Sequence, residues 1–383
     1  AGGWRESDAR TLRSRGTGVR TTSIRSAGDS HPARTVGLAV MLLLAAIGLP
    51  PRLLAAELPV LRILNWEEYL DPEVAAEFGR RHGVRVEETH FDSDSERDRK
   101  LAANGATGFD LAIVDASQIA VYRDRGWIEP IGESRVPGLR ELDNRWRRIA
   151  DGTATHTFPF AWGTVGIAYR ADRLTRPPES WLALFQPAAS LCGKVIDFSD
   201  ARELVASALK ATGQSANTGE RSAYARAEQL LKAQRPCVAG YEMMGVTADS
   251  ALITGKAWAV MSYNSDAVQA RALDPNVRFV LPAEGGLIWA DYFTVLASSK
   301  QKPLAFAFLQ FLSDPGIAAR VALFNQAATP NSKALSRLPA TVREDAVIYP
   351  KGPALEASEL IVVAPPAIVA LRNQIQAQLV RKQ

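Results

Sequence analysis

The sequence predicts a two-domain α/β protein, and three observations carry that expectation. At 383 residues the chain exceeds one ordinary domain and suits two. Between residues 61 and 126, short apolar runs alternate with helical patterns, the order that builds a parallel, doubly wound lobe. Runs at 195–198 and 258–262 continue the alternation in the second half of the chain.

The elements follow in order. Residues 61–64 read as a strand that runs into Asn65-Trp66-Glu67-Glu68-Tyr69. A helix follows: Asp71 suits its N-cap, Pro72 its first position, and Gly83 its end. A strand over 84–91, a Ser/Asp-capped helix over about 94–104, a strand over 109–115 and a helix over 117–125 complete the first lobe's opening. The apolar stretch 158–170 reads as one or two buried strands. A strand at 195–198 then precedes a helix that begins near Ser199. Asp200 and Glu203 lie three apart at its start, where a capping box is the simplest account. Helices are expected over about 220–234 and 246–254, and Tyr263-Asn264-Ser265-Asp266 opens another. An apolar helix over 304–312 stops at Asp314-Pro315, and residues 366–381 show helical spacing.

The net charge of +4 is misleading. Residues 1–56 hold eight Arg and three acids, whereas the remainder holds 37 basic and 38 acidic residues. The folded part is close to neutral and gives no argument for nucleic acid. The basic leader precedes an apolar run over 36–49, then Pro50-Pro51 and LLAAE. This is the order of a cleaved signal peptide, with cutting near Ala56 and export of the mature chain. Cys192 and Cys237 are compatible with one disulfide or with two buried thiols. The four His form no ligand motif, so neither a metal nor a cofactor is expected. GxSxG, P-loop and GxGxxG motifs are missing, and the chain is not expected to be an enzyme.

The stretch 279–297, FVLPAEGGLIWADYFTVLA, organises the rest. Gly285 and Gly286 allow a sharp turn, after which Trp289 and Asp291 stand two apart and share one face of an extended segment. A ring beside a carboxylate suits an organic ammonium ion. Aromatic and acidic residues recur at other strand ends, namely Trp66, Tyr69, Asp115, Asp200, Glu203 and Tyr263. They point to a solute receptor that closes on a cation.

Six segments together resemble the periplasmic polyamine-binding proteins of ABC importers: LNWEEYLDPEVAAEFGRRHGVRV, FDLAIVDAS, FPFAWGTVGIAYR, FSDARELVASALKATGQSANT, PAEGGLIWADYF and ATPNSKAL. The resemblance implies an α/β two-lobe periplasmic-binding-protein fold of type II. Its lobes are discontinuous, joined by crossing hinge strands, with the ligand cleft between them. Lobe 1 would comprise residues 57–163 and 290–337, lobe 2 residues 164–289 and 338–383. Carried over residue by residue, the resemblance places ring contacts on Trp66 and Tyr69, with Glu67 where a hydroxyl residue is usual. It places amino-group contacts on Asp200 and Glu203, and Tyr263 where Trp is usual. Trp289 and Asp291 match the stacking ring and central carboxylate, and Glu359 a polar contact near the C-terminus. Asp115 and Ser117 stand where the family shows Ser and a nearby Tyr, and Ala327 where Tyr is typical. The implied partners are a small polyamine and an ABC permease, with no nucleic acid, and the chain is expected to act as a monomer. A receptor for a cationic amino acid or guanidino compound is the alternative, with Arg202 facing a carboxylate or, more simply, solvent. An enzyme on the same scaffold is the remoter one.

Overall fold

Residues 57–149 and 155–380 are described by a computed structural model; the leader and cleavage site expected over 1–56 lie outside them. Ten strands form one sheet: β1 (Val60–Trp66), β2 (Arg85–Phe91), β3 (Leu111–Asp115), β4 (Phe158–Arg170), β5 (Val195–Asp197), β6 (Val238–Tyr241), β7 (Ala259–Tyr263), β8 (Val277–Val280), β9 (Leu287–Val295) and β10 (Glu359–Leu360). The order is β2-β1-β3-β9-β4-β7-β5-β6, with β10 beside β9 and β8 beside β4. The strands β2, β1 and β3 are mutually parallel, as are β6, β5 and β7. Between these two parallel sets run the antiparallel β4 and β9.

The helix Pro72–His82 shows how local chemistry sets the frame. The Asp71 side chain accepts from the Glu73 N–H, Pro72 opens the first turn, and Gly83 ends it in the left-handed region at φ 63°. Val74, Ala75 and Phe78 form its buried face. Burying Phe78 alone contributes about 1.5–3 kcal/mol. All thirteen residues of β4 are buried. Elements cover both of its faces, so apart from Thr164 and the terminal Arg170 it is largely apolar rather than alternating.

Residues Glu57–Gln383 form one unit that contains two main cores. Along β4, Phe158, Phe160, Ala161 and Trp162 belong to the first core, and Val165, Ile167 and Tyr169 to the second. On the return strand Leu287 belongs to the second and Ile288 to the first. Trp289 packs against both. Leu338, Ile348 and Tyr349 still pack into the first core and Ile361 into the second. The last handover therefore falls between residues 349 and 361, later than the residue 337 expected.

Two close approaches demand glycine. A Cβ on Gly163 would stand 2.5 Å from the Trp289 ring, and one on Gly285, at φ 86°, 2.2 Å from the Ala357 carbonyl oxygen. Cys192 and Cys237 are joined as a disulfide across 45 positions, ahead of β5 and β6. The helix expected over 246–254 is not formed; the segment is a series of turns. The Thr247 hydroxyl bonds Asp249, a local bond that competes with a helix. Among the described residues no helix is long and apolar enough to cross a membrane.

Candidate functional site

The site is built where β3, β9 and β4 meet the helix Ala201–Ala211. Asp115 ends β3 and is the register partner of Asp291 on β9. Strand alternation buries Ile288, Ala290 and Tyr292, while Trp289 and Asp291 share the other, half-buried face. Tyr69, from the turn after β1, donates its hydroxyl to Asp291 at 2.8 Å. The Tyr263 ring meets Trp289 edge-on at 6.3 Å and Phe198 at 5.1 Å.

Arg202 ties these groups together. It projects from the first turn of the helix Ala201–Ala211, which belongs to the second core, and reaches side chains of the first. Its Nη1 donates to Asp115 Oδ1 at 3.2 Å and to the Ser117 hydroxyl at 3.0 Å. Its Nη2 meets Asp94 Oδ2 at 3.2 Å and Glu203 Oε1 at 2.7 Å, and Nε donates to the same Glu203 oxygen at 2.8 Å. The expectation that Arg202 faces solvent is therefore corrected. A guanidinium with three carboxylates within reach gains more from charge-assisted bonds than from hydration. The capping box is also only half formed. Asp200 caps the Arg202 N–H at 2.7 Å, whereas Glu203 holds the guanidinium instead of reaching back.

A second arginine backs the first. Arg97, fully buried against Phe91 and Tyr122, bonds Asp94 Oδ1 at 2.7 Å and Asp115 Oδ2 at 3.4 Å. Ser117 adds its N–H at 2.9 Å and its hydroxyl to Asp115 Oδ1. Burial opposes ionisation of Asp115, but Arg202, Arg97 and Ser117 outweigh it and hold the carboxyl below its ordinary range. Burial pushes Asp291 up to about 7; Tyr69 and the Arg97 charge pull against it, and the nearby Asp115 and Asp94 reinforce the rise. Glu203 is raised to about 8, chiefly by burial, against the pull of Arg202 and with Asp200 reinforcing the rise. Desolvation raises Asp200, but the neighbouring Glu203, the Arg202 charge and the backbone N–H groups of both outweigh it and lower the carboxyl.

The cavity beside Arg202 is about 30 Å³, lined by Asp115, Glu203, Trp289 and Ile361 among others. Ligand pockets run to roughly 300–1,000 Å³. The two sides are closed on a side chain of the protein itself. Glu203 Oε2 and Trp289 Nε1 are buried with no hydrogen-bond partner found for either.

Other expected residues lie elsewhere. Trp66 packs on Phe91 at 4.3 Å, and Glu67 is exposed. The Glu359 carboxylate is held by Lys210 at 2.8 Å, the Ala216 N–H at 3.3 Å and the Ser215 hydroxyl, which makes it a clip for β10. The sequence reading missed Asp94 and Arg97. Their only signal was a charged run just after a strand end.

Two lobes that meet at crossing strands, with acids and rings from both at the seam, define a solute receptor of the periplasmic-binding-protein class. A profile of bacterial extracellular solute-binding proteins matches residues 73–348, and the chain belongs to that family. It is 30% identical over 318 residues to the putrescine-binding periplasmic protein PotF of Escherichia coli, covering 78% of this chain and 85% of that one. It is also 30% identical over 291 residues to the norspermidine sensor of Vibrio cholerae, covering 76% and 80%. The spermidine/putrescine substrate-binding protein PotD of Streptococcus pneumoniae superposes with a TM-score of 0.76 at 24% identity, covering 84% of this chain and 98% of that one, and establishes the type II fold.

Proposed function

We propose that the chain is an exported receptor that closes on a small linear polyamine and presents the closed form to an ABC permease. The observation that carries this reading is the cage around Arg202, in which carboxylates from both cores converge on one cation beside an indole. A cleft that already coordinates a guanidinium has the chemistry to coordinate ammonium groups. The names of the relatives, a putrescine-binding protein and a norspermidine sensor, support the same ligand class. In this reading the lobes divide at residues 163–164, at 287–289 and between 349 and 361, the three crossings that form the hinge.

In this mechanism the lobes part to admit the solute, since a cavity of about 30 Å³ cannot hold it. Trp289 then stacks on the chain while Asp291 and Glu203 take ammonium groups. Each ring contact contributes about 0.5–2 kcal/mol and each charge-assisted bond about 1.5–3 kcal/mol. Only the closed form makes contacts from both lobes, so binding shifts the population toward it.

The test is titration calorimetry with putrescine, spermidine, spermine, agmatine, arginine and lysine. One linear polyamine binds at micromolar concentration, and Trp289→Ala and Asp291→Asn each weaken it at least tenfold with an unchanged circular dichroism spectrum. Tighter binding of arginine or lysine, or wild-type affinity in both variants, removes the reading. The norspermidine sensor among the relatives favours a second reading of the output, occupancy relayed to a membrane sensor. Loss of amine uptake on deleting the gene separates transport from that.

A further inference from the structure

All four carboxylate oxygens of Asp94 and Asp115 are already assigned. Asp94 Oδ1 and Asp115 Oδ2 face Arg97, and Asp94 Oδ2 and Asp115 Oδ1 face Arg202. Arg97 is fully buried and holds a further bond to the Tyr122 hydroxyl at 3.0 Å, so it belongs to the wall. Arg202 is the partner that comes from across the seam: it is partly exposed and anchored on a helix of the other core. An ammonium group arriving at Asp94 and Asp115 finds no oxygen free of a cation.

Two carboxyl positions still offer an oxygen that no arginine meets, although Arg202 also holds Glu203 Oε1. One is Asp291, whose described partner is the Tyr69 hydroxyl. The other is the Asp200–Glu203 pair, where Glu203 Oε2 is buried without a hydrogen-bond partner at the cavity that Trp289 also lines. Glu203 itself is nearly fully buried.

We propose that Arg202 is a specificity-determining residue: its guanidinium acts as a built-in third cation, so the cleft selects a two-nitrogen amine over a three-nitrogen one. This deepens the polyamine reading and rests on it. The diamine places one end at Asp291 and the other at Asp200–Glu203, across Trp289. A triamine also has to expel Arg202 from Asp94, Asp115 and Ser117.

Calorimetry of putrescine and spermidine on the full-length mature protein tests this, with Arg202→Gln, which keeps the stem, and Arg202→Lys, which keeps the charge. Wild type binds putrescine at least tenfold tighter than spermidine. Arg202→Gln gains at least tenfold for spermidine and loses the preference, and Arg202→Lys retains it. A wild-type protein that prefers spermidine overturns the proposal without any variant. An unchanged ranking in a folded Arg202→Gln protein, judged by its thermal transition, overturns it as well. Both results leave the polyamine reading standing. If neither amine nor any other polyamine binds wild type, the polyamine reading falls and this inference falls with it.

Discussion

Gly163→Ala tests whether the hinge glycine sets the position of the stacking ring. Gly163 on β4 is the register partner of Trp289 on β9. An added Cβ would lie 2.5 Å from Trp289 Cζ2, 2.6 Å from Cε2 and 2.2 Å from Asn264 Oδ1. Ordinary contact begins near 3.4 Å, so the indole has to withdraw by nearly 1 Å. Asn264 is poorly free to yield, because it accepts from the Thr164 N–H at 2.9 Å and donates to the Val347 carbonyl at 2.9 Å. The indole N–H has no such tie. Overpacking of this kind costs about 1–3 kcal/mol of stability. Displacing the ring from the bound amine removes about 0.5–2 kcal/mol of stacking, or roughly 2- to 30-fold in affinity. The assay is calorimetry of the bound polyamine in wild type, Gly163→Ala, Trp289→Ala and the double variant. The reasoning requires that Gly163→Ala weakens binding in the presence of Trp289 and is nearly neutral in its absence. Equal weakening in both backgrounds would refute it, as would wild-type affinity in the single variant.

Two further outcomes follow from buried carboxyls. Asp291 and Glu203, raised to about 7 and about 8, must release protons to hold a cation, so polyamine affinity rises from pH 6 to pH 8.5 by on the order of 10²- to 10³-fold. Calorimetry in two buffers of different ionisation enthalpy should report the protons released, and a flat profile contradicts the assignment. Asp197 is fully buried, accepts from Gln234 Nε2 at 2.7 Å, and is raised to about 7 by burial against that bond. Its folded value lies above the unfolded one, so its contribution is complete below about pH 4 and lost as pH rises to about 7, by about 4 kcal/mol at most. Asp197→Asn should therefore be more stable than wild type at pH 8 and lose that advantage at pH 4; a urea-midpoint difference independent of pH would count against this.

The sequence by itself determined the elements whose causes are local. Asp71, Pro72 and Gly83 bound their helix because capping, a fixed φ and the left-handed region act within a few residues. Two-residue alternation put Trp289 and Asp291 on one face, and the strand–helix order specified the α/β class. The same local logic proposed a helix over 246–254, where a short Thr247–Asp249 side-chain bond competed with it. Cysteine spacing left Cys192 and Cys237 open, and the fold joined them.

Only the tertiary structure decided what the cleft holds. Arg202 reads locally as an exposed charge on the first turn of a helix. Its partners Asp94 and Asp115 lie 108 and 87 positions away in the chain, and the fold brings them across the seam. Glu359, read as a ligand contact, met Lys210 instead. Helix caps and strand faces depend on neighbours in sequence; ion pairs between lobes depend on where the chain returns, and no local pattern encodes that distance.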